Sequence, residues 1–216
     1  MLLAIFNRLL GQYGPQNWWP GDTIIEIMAG SILTQATSWE NAKSAVEALK
    51  SRGFLSSKSI RELDLDILED IIYSSGYYKV KAKRLKELMN YIHDKFNDDV
   101  EAMLSCDIET FRNGLLSISG IGEETADDIL LYALGKPVFV IDAYTKRVFS
   151  RLGLAPQNGN YKLYSDLFTE KLRPDSKLYN EYHALIVIHA SDTCRPIPEC
   201  KKCCLLDLCD TGIGNM

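Results

Sequence analysis

The stretch ISGIGEETADDIL, residues 118–130, carries more information about the fold than any other part of the chain. It joins two helical segments through a glycine turn. Gly120 and Gly122 permit a tight backbone turn, and the next helix exposes unpaired amides and the positive end of its dipole. Such a turn can cradle a phosphate. A plain corner between two helices with glycine caps would show the same pattern.

Helical apolar spacing extends on both sides of this turn. The helical segments are residues 23–35, 38–53, 63–76, 79–96, 107–118, 123–135 and 177–194. The one clear β-branched run, VFVI at residues 138–141, is short. The sequence therefore predicts an all-α fold.

Composition is that of an ordinary globular protein. The 216 residues are 46% hydrophobic and 25% charged, which suits one domain or two small ones. The start, MLLAIFNRLLGQYG, lacks the pattern of a signal peptide, and no apolar run reaches the length of a membrane span. We therefore expect a cytoplasmic protein without a membrane partner, whose thiols stay reduced. The net charge of −5 and pI of about 5.3 are unusual for a protein that binds nucleic acid.

Five of the six cysteines lie in CRPIPECKKCCLLDLC, residues 194–209. Thiols that stay reduced do not form structural disulfides, and five cysteines cannot all pair with one another. Cys194, Cys200, Cys203 and Cys209 are spaced C-x5-C-x2-C-x5-C, and soft thiolates select zinc or iron–sulfur clusters. A zinc ribbon usually has two C-x2-C pairs, so the spacing favours a cluster and leaves zinc as the alternative. Cys204 is predicted to be a spare, because adjacent side chains diverge.

Asp142 follows the apolar run and precedes the next helix, in VFVIDAYTKRVFSRLG, residues 138–153. The simplest interpretation is an N-cap that satisfies free amides of the first helical turn. A second role is compatible with the first, because a carboxylate at the edge of a cleft can stabilise developing positive charge or orient a water molecule.

Together these segments resemble the endonuclease III family of helix–hairpin–helix DNA glycosylases. The resemblance covers most of the chain. It runs through residues 33–42, 76–85, 118–130 and 138–148 and then the cysteine loop. The family loop has one more residue between its first two cysteines than this chain has between Cys194 and Cys200. The resemblance implies a 4Fe–4S cluster held by Cys194, Cys200, Cys203 and Cys209.

The resemblance also implies an architecture. Residues 21–134 should form a six-helix barrel that carries the helix–hairpin–helix, and residues 1–20 with 135–216 should form the cluster domain. Double-stranded DNA with a damaged base would lie across the cleft between them, with the catalytic Asp142 at its mouth. A monomer associated with the nucleoid is expected.

Further family positions imply contacts with DNA. Gln35 matches the glutamine that fills the gap left by a flipped base, although it could simply be a polar residue at a helix end. Lys81 matches a segment near the DNA backbone, although its basic run could be one solvated helix face. Gly120, Gly122 and Thr125 belong to the hairpin. Acidic side chains near the proposed cradle oppose binding: Glu123, Glu124, Asp127 and Asp128.

One departure from the family predicts the reaction. Members that also cut the strand carry a lysine two residues after the second hairpin glycine, where this chain has Glu124. A carboxylate cannot form the Schiff base that β-elimination requires. The sequence therefore predicts a monofunctional glycosylase that uses water, unless another lysine substitutes.

Aromatic residues indicate the base that is removed. Trp18, Trp19, Pro20, Trp39 and Tyr144 resemble the 3-methyladenine glycosylase branch, although core packing is the simpler interpretation of any one tryptophan. A pocket of aromatic faces can hold a cationic methylpurine by stacking and cation–π attraction. Two alternatives stay open: an endonuclease III-like enzyme for oxidised pyrimidines, and a non-catalytic iron–sulfur protein that binds DNA.

Overall fold

The protein is helical throughout the part that its computed structural model describes, residues 1–19 and 21–214. These residues form helices and loops and contain no strand. The predicted all-α class is confirmed. The β-branched run at residues 138–141 is a loop that leads into Asp142, and its residues 139–141 are buried. No helix in the described residues combines the length and the apolar character that crossing a membrane requires.

The helices follow one another with short connections. In chain order they are α1 (Leu2–Tyr13), α2 (Ile24–Leu33), α3 (Trp39–Ser51), α4 (Ser57–Glu62), α5 (Leu65–Ile71), α6 (Tyr78–Phe96), α7 (Val100–Ser105), α8 (Ile108–Leu116), α9 (Glu123–Asp128), α10 (Ala143–Arg151), α11 (Tyr161–Thr169), α12 (Ser176–Asp192) and α13 (Asp210–Gly214).

The chain divides into two compact units. One is Pro20–Lys136, and the other joins Met1–Trp19 to Pro137–Met216. The assignment of these units to a six-helix barrel and a cluster domain stays a prediction.

Helix starts in the Pro20–Lys136 unit follow local chemistry. Thr23 and Ser38 cap α2 and α3, because each side chain accepts a hydrogen bond from an amide of the first turn. Asp107 caps α8 in the same way. The long helix α6 ends at Asn97, which adopts the left-handed conformation that closes many helices. These caps set the boundaries between the apolar segments.

A π-helical turn continues α9 in the core of this unit. It spans Ile129–Ala133, and every residue in it is buried. It packs against α2, whose Met28 and Ile32 are also fully buried. A helix that is apolar on all sides belongs inside a protein, and π turns inside helices are rare and often lie near functional sites.

The other unit is built around α12. Helix α1 packs on it, and the Tyr182 hydroxyl donates to the Leu2 carbonyl over 2.9 Å. Helix α10 packs on it as well. Aromatic rings fill the interior, where Phe139 and Phe168 stack with centroids 3.7 Å apart and Tyr182 meets both edge-on. This packing holds the start of α10, and therefore Asp142, beside α12.

Candidate functional site

The glycine turn lies between α8 and α9. Gly120 has φ of 82°, a conformation that glycine adopts at little cost, and Gly122 is the N-cap of α9. The Gln35 side-chain amide donates to the Gly120 carbonyl over 3.2 Å and to the Thr125 hydroxyl over 2.9 Å. The structure therefore brings together Gln35, Gly120 and Thr125, three residues predicted to contact DNA.

Arg84 completes this arrangement, and the sequence did not single it out. Its Nη1 donates to Gln35 Oε1 over 2.7 Å, and its guanidinium lies where a Cβ at position 120 would stand. Glycine at 120 is thus required twice, for its backbone conformation and for the approach of Arg84. The name hairpin cluster is used below for Gln35, Arg84, Gly120 and Thr125. In the sequence, Arg84 is indistinguishable from its neighbours in a basic run.

Lys81 lies inside the Pro20–Lys136 unit and is only 1% exposed. Its ammonium donates to the carbonyls of Leu33 and Ser75 over 2.8 and 2.7 Å. Burial, with a smaller effect of nearby Arg84, lowers the pKa of Lys81 to about 8. This placement gives Lys81 a structural role between two segments, and its predicted contact with the DNA backbone stays a prediction.

The acidic residues beside the turn are partly neutralised. Asp127 is 3% exposed and receives two hydrogen bonds from Arg112, over 2.6 and 3.2 Å. Glu123 lies 3.6 Å from the same guanidinium. An ion pair of this kind weakens the repulsion that a DNA phosphate would meet at the turn. Glu124 lies in the first turn of α9.

Asp142 is the N-cap of α10, as the simplest interpretation predicted. Its Oδ1 accepts from the Thr145 amide over 2.6 Å. Its Oδ2 lies 3.6 Å from Nε2 of His183, a residue of α12, and the carboxylate is 12% exposed. Burial opposes ionisation, but the His183 ring and the Thr145 backbone outweigh it, so the pKa of the Asp142 carboxyl is lowered. A largely buried carboxylate that stays charged can stabilise a developing cation.

A row of three stacked rings begins beside the Asp142 carboxylate. His183 stacks on Trp18, with centroids 6.4 Å apart, and Trp18 stacks on Trp19 at 6.0 Å. The name aromatic stack is used below for Trp18, Trp19 and His183. Of these, the sequence interpretation singled out the tryptophans and missed His183. The segment 177–194 holds two histidines, His183 and His189, and periodicity alone assigns both to the core, so nothing in the sequence marked His183.

The other predicted pocket residues are distributed differently. Tyr144 is exposed two residues after Asp142, and its ring lies 5.1 Å from the Arg147 guanidinium in a cation–π contact. Trp39 begins α3 and belongs to the Pro20–Lys136 unit. Pro20 lies outside the described residues. The base pocket as a whole therefore stays a prediction, with Trp18, Trp19 and Tyr144 in the same unit as Asp142.

Four cysteines line one small cavity, namely Cys194, Cys200, Cys203 and Cys209. Cys204 is not among the described lining residues, and its carbonyl accepts instead from Arg8 over 3.2 Å. Within the described part of the chain, no three His, Cys, Asp or Glu side chains form a group that could hold a metal ion.

The surroundings of these thiols suit a bound group. The Arg151 guanidinium donates to the Cys194 sulfur over 3.3 Å and to the carbonyls of Cys194, Arg195 and Pro196. Four soft donors around one cavity, with a cation against one of them, fit a group that is ligated by thiolates.

Comparison with known proteins places this geometry in a family. The profile of the HhH-GPD superfamily base excision DNA repair proteins matches residues 29–174. The chain is 44% identical to a protein of Methanocaldococcus jannaschii named as a presumed DNA repair glycosylase, over 97% of this chain and 96% of the relative. It is 28% identical to endonuclease III of Sulfolobus acidocaldarius, over 89% and 84% of the two chains.

Solved structures of DNA glycosylases have a similar fold. The 3-methyladenine DNA glycosylase of H. pylori, solved with 1,N6-ethenoadenine, has a TM-score of 0.74 at 27% identity and covers 88% of this chain and 97% of its own. A trapped endonuclease III–DNA covalent intermediate has a TM-score of 0.84 at 19% identity, with 100% and 99% coverage, and shows the shared fold. The predicted resemblance is confirmed. The chain therefore belongs to the HhH-GPD superfamily, as a DNA glycosylase of base excision repair.

Proposed function

We propose that the protein is a monofunctional DNA glycosylase that hydrolyses the N-glycosidic bond of alkylated purines such as 3-methyladenine. The observation that carries the proposal is the charged, buried Asp142 carboxylate, joined to the aromatic stack within one unit. The H. pylori neighbour, a 3-methyladenine DNA glycosylase at 27% identity, supports the choice of substrate.

In the proposed reaction, the charge of the substrate promotes departure of the base, and the protein stabilises the sugar that remains. The bond between the sugar C1′ and the base nitrogen breaks, and the base leaves with the bonding electron pair. An N3-methylated adenine carries a positive charge and becomes neutral on leaving, so it needs no general acid. The sugar becomes cation-like, and the Asp142 carboxylate stabilises that charge. Water then adds to C1′ and gives up a proton, for which Asp142 is the candidate base.

Recognition of the base follows from charge and shape. A cationic purine is attracted to aromatic faces, best of all to tryptophan. Trp18, Trp19 and Tyr144 supply such faces in the unit that holds Asp142. We propose that the flipped base stacks there. Neutral oxidised pyrimidines would gain less from these faces and would leave less readily without protonation.

The absence of strand cleavage rests on Glu124, which stands at the position of the family's catalytic lysine. Lys81 has the lowered pKa that a Schiff-base lysine requires. However, its ammonium is buried and donates to two backbone carbonyls, so it has no access to a sugar. We therefore propose that the product is an intact strand with an abasic site. An endonuclease III-like activity on oxidised pyrimidines is the second candidate, because several relatives carry that name.

We propose that Cys194, Cys200, Cys203 and Cys209 hold a 4Fe–4S cluster. Their shared cavity and their softness as donors support this assignment. When bound, the cluster supplies four iron–sulfur bonds that tie the loop 194–209 together. Arg151 orients the first thiol of this set, and Cys204 is not needed as a ligand.

Binding of double-stranded DNA is proposed to rest on local features, because the net charge is −5. The glycine turn offers its amides to a phosphate, and Arg112 reduces the acidity beside it. Arg84 holds Gln35 at the turn, from where we propose that Gln35 enters the gap left by the flipped base. A monomer acting on chromosomal DNA in the cytoplasm is proposed, with affinity that falls steeply as salt rises.

A release assay with methylated and oxidised duplexes side by side tests this proposal. We expect free methylated adenine from the first duplex and little release from the second, with the strand intact until alkali is added. Faster release from oxidised pyrimidines, with strand cleavage, would favour the second candidate. Binding without release from either duplex would contradict both.

A further inference from the structure

Helix α12 delivers a buried histidine to the proposed catalytic carboxylate. His183 is 5% exposed, and its Nε2 lies 3.6 Å from Asp142 Oδ2. This is ion-pair distance and longer than a hydrogen bond. The same imidazole also stacks on Trp18, with an interplanar angle of 29°.

We propose that His183 is a positioning residue, which orients the Asp142 carboxylate and joins it to the aromatic stack. The inference rests on the proposed role of Asp142 in base release. It adds a residue that acts through Asp142 and does not itself reach the reacting atoms.

The two carboxylate oxygens have separate tasks. Oδ1 accepts from the Thr145 amide over 2.6 Å and caps α10. Oδ2 faces His183. We propose that Nε2 of His183, at ion-pair distance from Oδ2, restricts the rotation of the carboxylate plane, which the cap alone would leave less determined. The same contact favours the ionised carboxylate, since burial by itself would raise the pKa of Asp142 and the His183 ring opposes that effect.

Charged groups on the elements packed around His183 have partners of their own. Glu181, also on α12, accepts from two backbone amides of the segment after α1. On α10, Arg147 donates to two backbone carbonyls and Lys146 lies over a tyrosine ring. Arg8, on α1, pairs with a carboxylate near the C-terminus.

The pH dependence of base release tests the inference. Single-turnover release from a methylated duplex is measured between about pH 7.5 and about pH 5 for the wild type and His183→Gln. The wild-type rate should stay level as pH falls, because Asp142 remains ionised. In His183→Gln the carboxyl loses the ring that opposes the effect of burial and takes up a proton more readily, so the rate at the acid end should fall about tenfold or more relative to neutral pH.

A matched control is available in His93→Gln. That histidine also contacts a carboxylate, with Nδ1 2.9 Å from Asp98, but it lies in the Pro20–Lys136 unit. Its variant should keep the wild-type profile. A merely structural role for His183 would lower the rate at every pH by the same factor, and parallel profiles for His183→Gln and the wild type would overturn the inference while leaving the proposed function intact.

A second measurement does not depend on the folding of His183→Gln. The wild type should show a slowly exchanging imidazole N–H resonance from His183 in NMR spectra. In Asp142→Asn the cap is retained, but the amide nitrogen then faces Nε2 and cannot accept, so the resonance should shift or exchange rapidly. An unchanged resonance would overturn the inference. Wild-type protein that releases no base from any duplex would overturn the proposed function and the inference with it.

Discussion

Gly120→Ala tests the packing of the hairpin cluster most sharply. The substitution places a Cβ on a residue with φ of 82° and directly against the Arg84 guanidinium. The left-handed conformation costs a residue with a Cβ about 1–2 kcal/mol. Displacing Arg84 also breaks its 2.7 Å hydrogen bond to Gln35. A hydrogen bond to a charged group contributes about 1.5–3 kcal/mol to stability. We take the lower value of about 1.5 kcal/mol, because Arg84 is only half-buried.

Together these effects predict that Gly120→Ala lowers the free energy of unfolding by about 2.5–3.5 kcal/mol. Gly53→Ala is the matched control, because φ there is 75° and nothing lies within 4 Å of the added Cβ. It should cost only the backbone term of about 1–2 kcal/mol. The assay is denaturant unfolding of the full chain, monitored by circular dichroism. The dependence of the free energy of unfolding on denaturant concentration should be the same for all variants.

Arg84→Ala completes a double-mutant cycle. With the guanidinium removed, Gly120→Ala should cost no more than Gly53→Ala, so the coupling between positions 84 and 120 should be about 1.5 kcal/mol. If Gly120→Ala costs the same with and without Arg84, or no more than the control, the close approach of Arg84 to the turn is refuted.

Three further predictions follow from the cysteine loop, the hairpin and the cap. Iron and sulfide analysis should find a cluster that survives Cys204→Ser and is lost in Cys203→Ser; one zinc without sulfide would contradict this assignment. Borohydride should trap no covalent adduct with DNA, because Glu124 cannot form a Schiff base, and efficient trapping would show that another lysine acts. Because the folded-state pKa of Asp142 is lowered from its ordinary 3.8, its contribution to stability is present above that value and lost as pH falls through the lowered one. Denaturant unfolding at about pH 6 and about pH 3 should therefore show a smaller loss of stability for Asp142→Asn than for the wild type.

Much of the helical framework was predictable from local pattern. Helices α3, α6 and α12 follow from apolar spacing bounded by caps or glycines, and these signals act over a few residues. The π turn Ile129–Ala133 was not predictable, since five consecutive buried apolar residues carry no periodic signal.

In the candidate site, too, some features could be predicted from the sequence and others could not. Asp142 as a cap follows from its position before a helix, and Gln35, Gly120 and Thr125 follow from the family resemblance. The contact between Asp142 and His183 joins residues on different helices, 183 − 142 = 41 positions apart, and only tertiary packing creates it. Lys81 illustrates the reverse case, because a lysine in a basic run is expected in solvent and here lies buried against two carbonyls.

The central claim is that Asp142 catalyses release of an alkylated purine by hydrolysis. The most direct measurement is single-turnover release of methylated adenine from one duplex by the wild type and by Asp142→Asn, with DNA binding measured for both. Asn retains the cap, so we predict that the variant folds and binds DNA but loses most of its release rate, while the wild type leaves the strand intact. Near-full release by Asp142→Asn would contradict the account, because Asp142 would then be a cap and nothing more.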